Sequence, residues 1–292
     1  MKPDYCFIIS PRRTGSTLLM SLLDGHPQLN VWPGEFLYWF YLPVKRETFF
    51  VETKINANQA LLELLQPLQM TFREYKQDLN EEVINWEQYI EFAYDLLHLT
   101  EPLNGNLDRL QFLDWLFSYV EDYFHMKQNN LRVMKCMQVG FDWEDESLKN
   151  YRLIFTYRKP EYTFLSWKKM WMKHNNGSDE GFHEHRFDEV IKELRNDREM
   201  WEMDYKNRNI HVVHLEKLRD IRYFELELLN LCEFLNIDYH KSLTVPTIGG
   251  KRFIGFHVEP EKNTGIIRSD EHNIGLLEAF ELEAIKENSL YL

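Results

Sequence analysis

The feature that most constrains this chain is a short apolar run that breaks into a Gly-containing loop and resumes as a Leu-rich segment within the first 25 residues. Cys6-Phe7-Ile8-Ile9-Ser10 reads as a buried strand, and Leu18-Leu19-Met20-Ser21-Leu22-Leu23 as a helix of about three turns. Gly25 supplies the left-handed stop, and Pro27 prevents the helix from continuing. Between strand and helix lies Pro11-Arg12-Arg13-Thr14-Gly15-Ser16-Thr17. A helix starting there presents the free N–H groups of Gly15, Ser16 and Thr17 at the positive end of its dipole, and Gly15 lets the backbone approach a ligand closely. Arg12 and Arg13 add forked, charge-assisted donors, and Ser16 and Thr17 add hydroxyls. The stretch is a candidate cradle for phosphate or sulfate; the plainer alternative is a strand-to-helix turn carrying a surface Arg pair. It is not a Walker A loop, because that motif needs a further Gly upstream and a Lys directly before the Ser/Thr, and the stretch has neither.

A second stretch has the same character. The apolar run from Arg152 to Tyr157 is a predicted strand, followed by Arg158-Lys159-Pro160 and then Ser166. Pro160 suits the first position of a helix and pushes Lys159 out of helical geometry. Arg158 is thereby expected at the carboxyl end of a strand, where open α/β sheets bind ligands, with Ser166 on the next helix. Residues 151–173 hold six basic side chains against one acid, Glu161, in a chain of net charge −13. The local excess suggests a small anionic ligand, or a solvated helix face for Lys168, Lys169 and Lys173. The acidic whole argues against nucleic acid or a heavily sulfated glycan as partner.

The rest of the chain sets the frame. Further strands are expected at 29–32, 131–137 and 210–215, and helices at 160–173, 182–207 and 223–235, which implies a parallel sheet covered on both faces. From about 56 to 129 the pattern is helical, with one apolar stripe on Trp86, Tyr89, Ile90, Ala93 and Leu97 and another on Leu110, Leu113, Phe117, Val120 and Phe124. No linker divides the 292 residues, which are read as a single domain, 1–292. The aromatic run at 36–41 lines an apolar pocket or packs beneath the fold, and the apolar stretch 36–44 is too short to span a bilayer. A strand beginning by residue 5 leaves no room for a signal peptide. Cys6, Cys136 and Cys232 are expected to be buried free thiols, so the reading is a cytoplasmic protein without membrane association. His26-Pro27 closes a helix, and His183 and His185, two apart at an expected helix start, have poor spacing for a shared helical metal site.

Arg13-Thr14-Gly15-Ser16-Thr17-Leu18 resembles the phosphosulfate-binding loop of the sulfotransferases, and Arg158 with Ser166 resembles the pair that holds the 3′-phosphate of their donor, 3′-phosphoadenosine 5′-phosphosulfate (PAPS). His214-Leu215-Glu216-Lys217-Leu218 is similar to a structural segment of the same family. The resemblance covers residues 5 to about 238, weakly through the helical middle. It implies a P-loop NTPase-like α/β fold, a parallel sheet flanked by helices, with a helical insertion at about 56–129 that shapes the acceptor site. It implies a sulfotransferase using PAPS as co-substrate, without metal; the resemblance does not give the acceptor, and the acidic, aromatic-rich composition leans towards a small molecule or sugar over a protein. Arg12, Arg13, Thr14, Gly15, Ser16, Thr17, Arg158 and Ser166 are then the donor-binding candidates. Arg13 and Lys135 are candidates for charge stabilisation, Lys135 being similar to the Lys of a Lys-Thr-His segment in the cytosolic branch. The His of that segment falls on Met137, which cannot accept a proton. Gly34-Glu35 resembles the base-bearing turn of the tyrosylprotein branch, so Glu35 is the candidate base; its alternative is a surface carboxylate in a Gly turn. Lys251, Arg252 and Lys262 are weaker candidates for a loop closing over the nucleotide. The competing functions are a phosphotransferase or nucleotide hydrolase on the same fold and a non-catalytic nucleotide-binding protein.

Overall fold

The computed structural model describes residues 4–35, 50–51, 54–56, 95, 106–123, 127, 130–137, 151–202, 209–248, 251–252 and 271–292. In chain order its elements are β1 (Tyr5–Ser10), α1 (Ser16–Leu23), β2 (Leu29–Glu35), β3 (Phe50–Val51), β4 (Lys54–Asn56), β5 (Asn106–Asp108) and α2 (Arg109–Tyr123). There follow β6 (Leu131–Met137), β7 (Arg152–Tyr157), α3 (Pro160–His174), a π-helical turn (His183–Phe187) and α4 (Asp188–Met200). The chain continues through β8 (Ile210–His214), α5 (Leu215–Arg219), α6 (Phe224–Leu235), β9 (Thr247–Ile248), β10 (Lys251–Arg252) and α7 (Ala279–Asn288).

Five strands form one parallel sheet in the order β2-β6-β1-β7-β8. β1 lies in the middle, with Tyr5 to Ile9 all buried, which is why its sequence is continuously apolar instead of alternating. Leu19 and Leu22 of α1, Leu113, Phe117 and Val120 of α2, and Leu228 and Leu231 of α6 join the strands in the main core. Phe164 and Leu165 of α3, Val190 and Leu194 of α4, and Ile285 of α7 make a second cluster. The strand order places the junctions after β1 and β7 side by side at the carboxyl edge of the sheet.

Local differences from expectation have physical causes. α1 starts at Ser16, two residues before the Leu-rich run, and spans eight residues, about two turns instead of three, because the left-handed Arg13 (φ 67°) and Gly15 (φ 90°) admit no helix before Ser16; Gly25 (φ 76°) ends it as anticipated. Glu35 is not in a turn but is the last residue of β2. The register with β6 breaks between Val31 and Glu35, absorbing Pro33, which has no N–H to give, and pairing resumes with Glu35 opposite Lys135. The insertion is not helical throughout, since β3, β4 and β5 form a small antiparallel sheet that includes Asn56. α2 carries the second predicted stripe, with Leu113, Phe117 and Val120 buried. The first stripe, the aromatic run at 36–41 and Lys262 lie outside the described residues. All three cysteines are buried free thiols. Among the described residues no helix is long and apolar enough to cross a membrane.

Candidate functional site

The loop between β1 and α1 is held from three sides. Thr14 is buried, and its hydroxyl donates to the Pro11 carbonyl at 2.7 Å while accepting from Thr156 Oγ1 at 2.6 Å, which fastens the loop to the end of β7. Gly15 packs against Leu215 at the start of α5, so closely that a β-carbon on residue 15 would lie 2.4 Å from Leu215 Cδ1. The N–H groups at the head of α1 start from this fixed loop.

Arg13 lies at the centre of the arrangement. Its Nε donates to Ser166 Oγ on α3 at 3.1 Å, and its carbonyl accepts from an Arg158 guanidinium nitrogen at 3.2 Å. The two stretches singled out in the sequence, 145 residues apart, therefore meet through direct hydrogen bonds. Burial lowers the Arg13 pKa from its usual value, and no carboxylate among the described residues pairs with it. A partly buried guanidinium with spare donors beside a helix N-terminus has the chemistry to receive an anion.

Lys135 reaches the same helix from β6. Its Nζ donates to Thr17 Oγ1 at 2.9 Å, and the side chain is almost fully buried. Glu35 is its register partner on β2, so a carboxylate residue and this ammonium residue occupy adjacent positions on neighbouring strands near their carboxyl ends. Arg12 turns the other way. It forms an ion pair with Glu193 of α4 at 3.0 Å and lies over the Trp167 ring at 5.9 Å. Burial pushes the Glu193 carboxyl upward against the pull of Arg12.

Sequence reasoning missed Thr156, Leu215, Trp167 and Glu193 as supports of the loop. Leu215 falls in the segment identified as structural, and its neighbour Glu216 accepts the Lys159 N–H at 2.9 Å to fasten the head of α3. Glu193 lies in a charged helical run with no signal of its own. Two of the six basic residues in the local excess are held in ion pairs. Arg152 pairs with Asp4, and Lys168 is buried with its Nζ 3.0 Å from Glu281 Oε1, so neither a ligand nor a solvated face explains Lys168.

A model of the sulfotransferase family matches residues 6–241. The chain belongs to that family. Similar solved structures include a sulfotransferase from Alicyclobacillus acidocaldarius, 12% identical with a TM-score of 0.43, covering 98% of this chain and 95% of that one. Another is sulfotransferase STF1 from Mycobacterium tuberculosis H37Rv, 13% identical with a TM-score of 0.42, covering 98% of this chain and 77% of that one. No curated protein sequence matches significantly.

Other chemistry-bearing groups of this sulfotransferase family member are engaged structurally. Burial pushes the Cys232 thiol up to about 11 and Cys6 higher still, away from thiolate chemistry. His26 Nε2 bonds the Asp238 carbonyl at 2.9 Å, and burial lowers its pKa. His183, Glu278 and Glu281 lie within 4.8 Å of one another, but Lys168 already neutralises Glu281, and Glu278 with Glu281 closes a capping box at the head of α7.

Proposed function

We propose that this chain transfers the sulfuryl group of PAPS to a hydroxyl or amine of a small molecule or sugar. The observation that carries the reading is the junction of Arg13, Ser166 and Arg158, which brings the loop and the strand-end pair into one anion-binding patch. The loop N–H groups, Arg13, Ser16 and Thr17 would receive the 5′-phosphosulfate, and Arg158 with Ser166 the 3′-phosphate. Thr14 and Arg12 serve the loop's shape from their inward bond and flanking ion pair. The acceptor atom bonds to sulfur as the sulfur–oxygen bond to the phosphate breaks. 3′-Phosphoadenosine 5′-phosphate (PAP) departs with the electron pair, and the acceptor proton passes to Glu35. Arg13 and Lys135 would stabilise charge growing on the bridging oxygen, usually the largest catalytic contribution. The transfer needs no metal. The chain would act as a single domain in which the region 56–129 shapes the acceptor side, and three buried free thiols suit a cytoplasmic setting.

Thermal melts with PAP, beside ATP with and without Mg²⁺, test the donor. At about a hundredfold over Kd the ligand adds about 2.7 kcal/mol, which for a chain of this length raises Tm by roughly 4–5 °C. A rise with PAP alone, lost in Arg158→Ala, is expected; a rise only with Mg²⁺-ATP would move the assignment to phosphoryl transfer. With a turned-over acceptor in hand, Glu35→Gln is expected to preserve PAP binding and lower kcat by about 100- to 10,000-fold. Unchanged kcat would remove Glu35 from the mechanism.

A further inference from the structure

Away from the anion loop, α3 and the π-helical turn enclose a cavity of about 310 Å³. Its walls are Trp167, Met170, Trp171 and Phe182, and its polar edge carries Arg186 and His174. Among the described residues no carboxylate lines it. That volume is at the lower end for small-molecule sites, which suits one or two fused rings. The aromatic walls are already positioned. Trp171 meets Phe182 edge-on at 6.4 Å, Phe182 meets Phe164 at 5.7 Å, and the Trp171 indole N–H is spent on the Glu180 carbonyl at 3.1 Å. Phe182 and Trp167 are 1% and 8% exposed, so the half-buried Trp171, with its polar atom satisfied, offers most of the ring surface that a ligand can reach. The Asn175 amide is likewise spent, on the Trp171 carbonyl at 2.9 Å.

Arg186 differs. Its ion pair with Glu189 is an exposed contact three residues along the chain, a kind that contributes little, and it leaves most of the guanidinium N–H donors available. Phe182 precedes the π-helical turn and Arg186 lies within it, a distortion frequent at functional sites. Trp167 is also the ring over which Arg12 lies, so the cavity shares a wall with the support of the anion loop.

We propose that this cavity is a binding site for a planar aromatic carboxylate, its ring packed against Trp171 and Met170 and its acid group on Arg186. The site is separate from the donor loop and does not depend on the sulfuryl-transfer reading. Isothermal titration calorimetry of the full chain with 2-naphthoate, and with neutral 2-naphthamide as the isosteric control, tests it. Saturable one-site binding of naphthoate is expected, with naphthamide about tenfold weaker for want of a charge-assisted bond. Arg186→Gln should bring naphthoate down to the naphthamide level while leaving naphthamide unchanged, and Trp171→Ala should abolish both. Because Trp171→Ala also removes core packing, the exposed Arg186→Gln variant is the deciding one. Absence of saturable naphthoate binding, or wild-type affinity in Arg186→Gln, overturns the proposal. Displacement of naphthoate by PAP would place it in the donor site and overturns it equally. Failure of PAP to bind at all would count against the sulfotransferase mechanism and leave this test intact.

Discussion

Gly15 meets two demands that no other residue can meet together. Its φ of 90° is a region L side chains rarely adopt, and Leu215 occupies the space where a β-carbon would stand. Gly15→Ala is expected to lower stability by about 1–3 kcal/mol in urea melts. The double variant with Leu215→Ala relieves the collision alone, so in the Gly15→Ala background Leu215→Ala should cost less than it does by itself; strict additivity would show that the two residues do not interact. Ser166 is the acceptor that aims Arg13. Ser166→Ala leaves a partly buried guanidinium short of one partner, and PAP affinity should fall about tenfold, in line with about 1–1.5 kcal/mol per hydrogen bond. Arg12→Ala should weaken PAP less than Arg13→Ala does, because Arg12 is engaged by Glu193. Equal losses would show that Arg12 leaves Glu193 to bind the anion.

At the level of elements, α2 is anchored to the amino-terminal edge of the sheet by a buried charged network. Arg132 on β6 donates to Glu121 Oε1 at 2.8 Å and Oε2 at 2.9 Å, to Asp114 at 3.0 Å and to the Tyr5 hydroxyl at 2.8 Å. The Asn30 amide of β2 donates to the same Glu121 at 2.7 Å. The Arg132 and Glu121 side chains are 4% and 0% exposed, so neither charge can return to water if its partner is lost. Glu121→Gln keeps the volume and removes the charge, and should cost about 3–5 kcal/mol in a denaturant titration. The pair of changes Arg132→Met and Glu121→Leu should recover most of it; no recovery would mean that the network carries packing that apolar residues cannot reproduce. The network lies at the opposite strand ends from the anion loop, so these variants should leave PAP affinity unchanged wherever the chain remains folded.

For the whole molecule, the pH dependence of stability depends in part on one carboxyl that resists ionisation. Burial, with the Glu193 charge one helical turn away, raises the Asp197 carboxyl well above its ordinary value. A carboxyl raised on folding binds more protons in the native state, so its contribution to stability falls as pH rises from the ordinary aspartate range through the raised native value. Asp197→Asn should therefore increase Tm near pH 7, and the gain should vanish in melts below the ordinary aspartate pKa; a gain independent of pH would exclude titration as the cause. The two stretches that meet at Arg13, Ser166 and Arg158 were legible in the sequence, because each is a local pattern: a strand, a loop with Gly15, and a Leu-rich helix, or a strand, Arg158 and a Pro-started helix. Glu193, Thr156 and the cavity around Trp171 were not, since each acts through a partner distant along the chain and has no local spacing of its own. Lys168 misled for the same reason, its counter-charge Glu281 lying 113 residues away. The sequence by itself determined the parallel α/β architecture and the chemistry of the loop, because hydrophobic period and turn residues act over a few positions. Only the tertiary structure decided which of the two adjacent arginines is aimed at Ser166 and which is held by Glu193, and that Glu35 ends a strand beside Lys135. Those choices rest on strand order, a break in register and the packing of helices from distant parts of the chain.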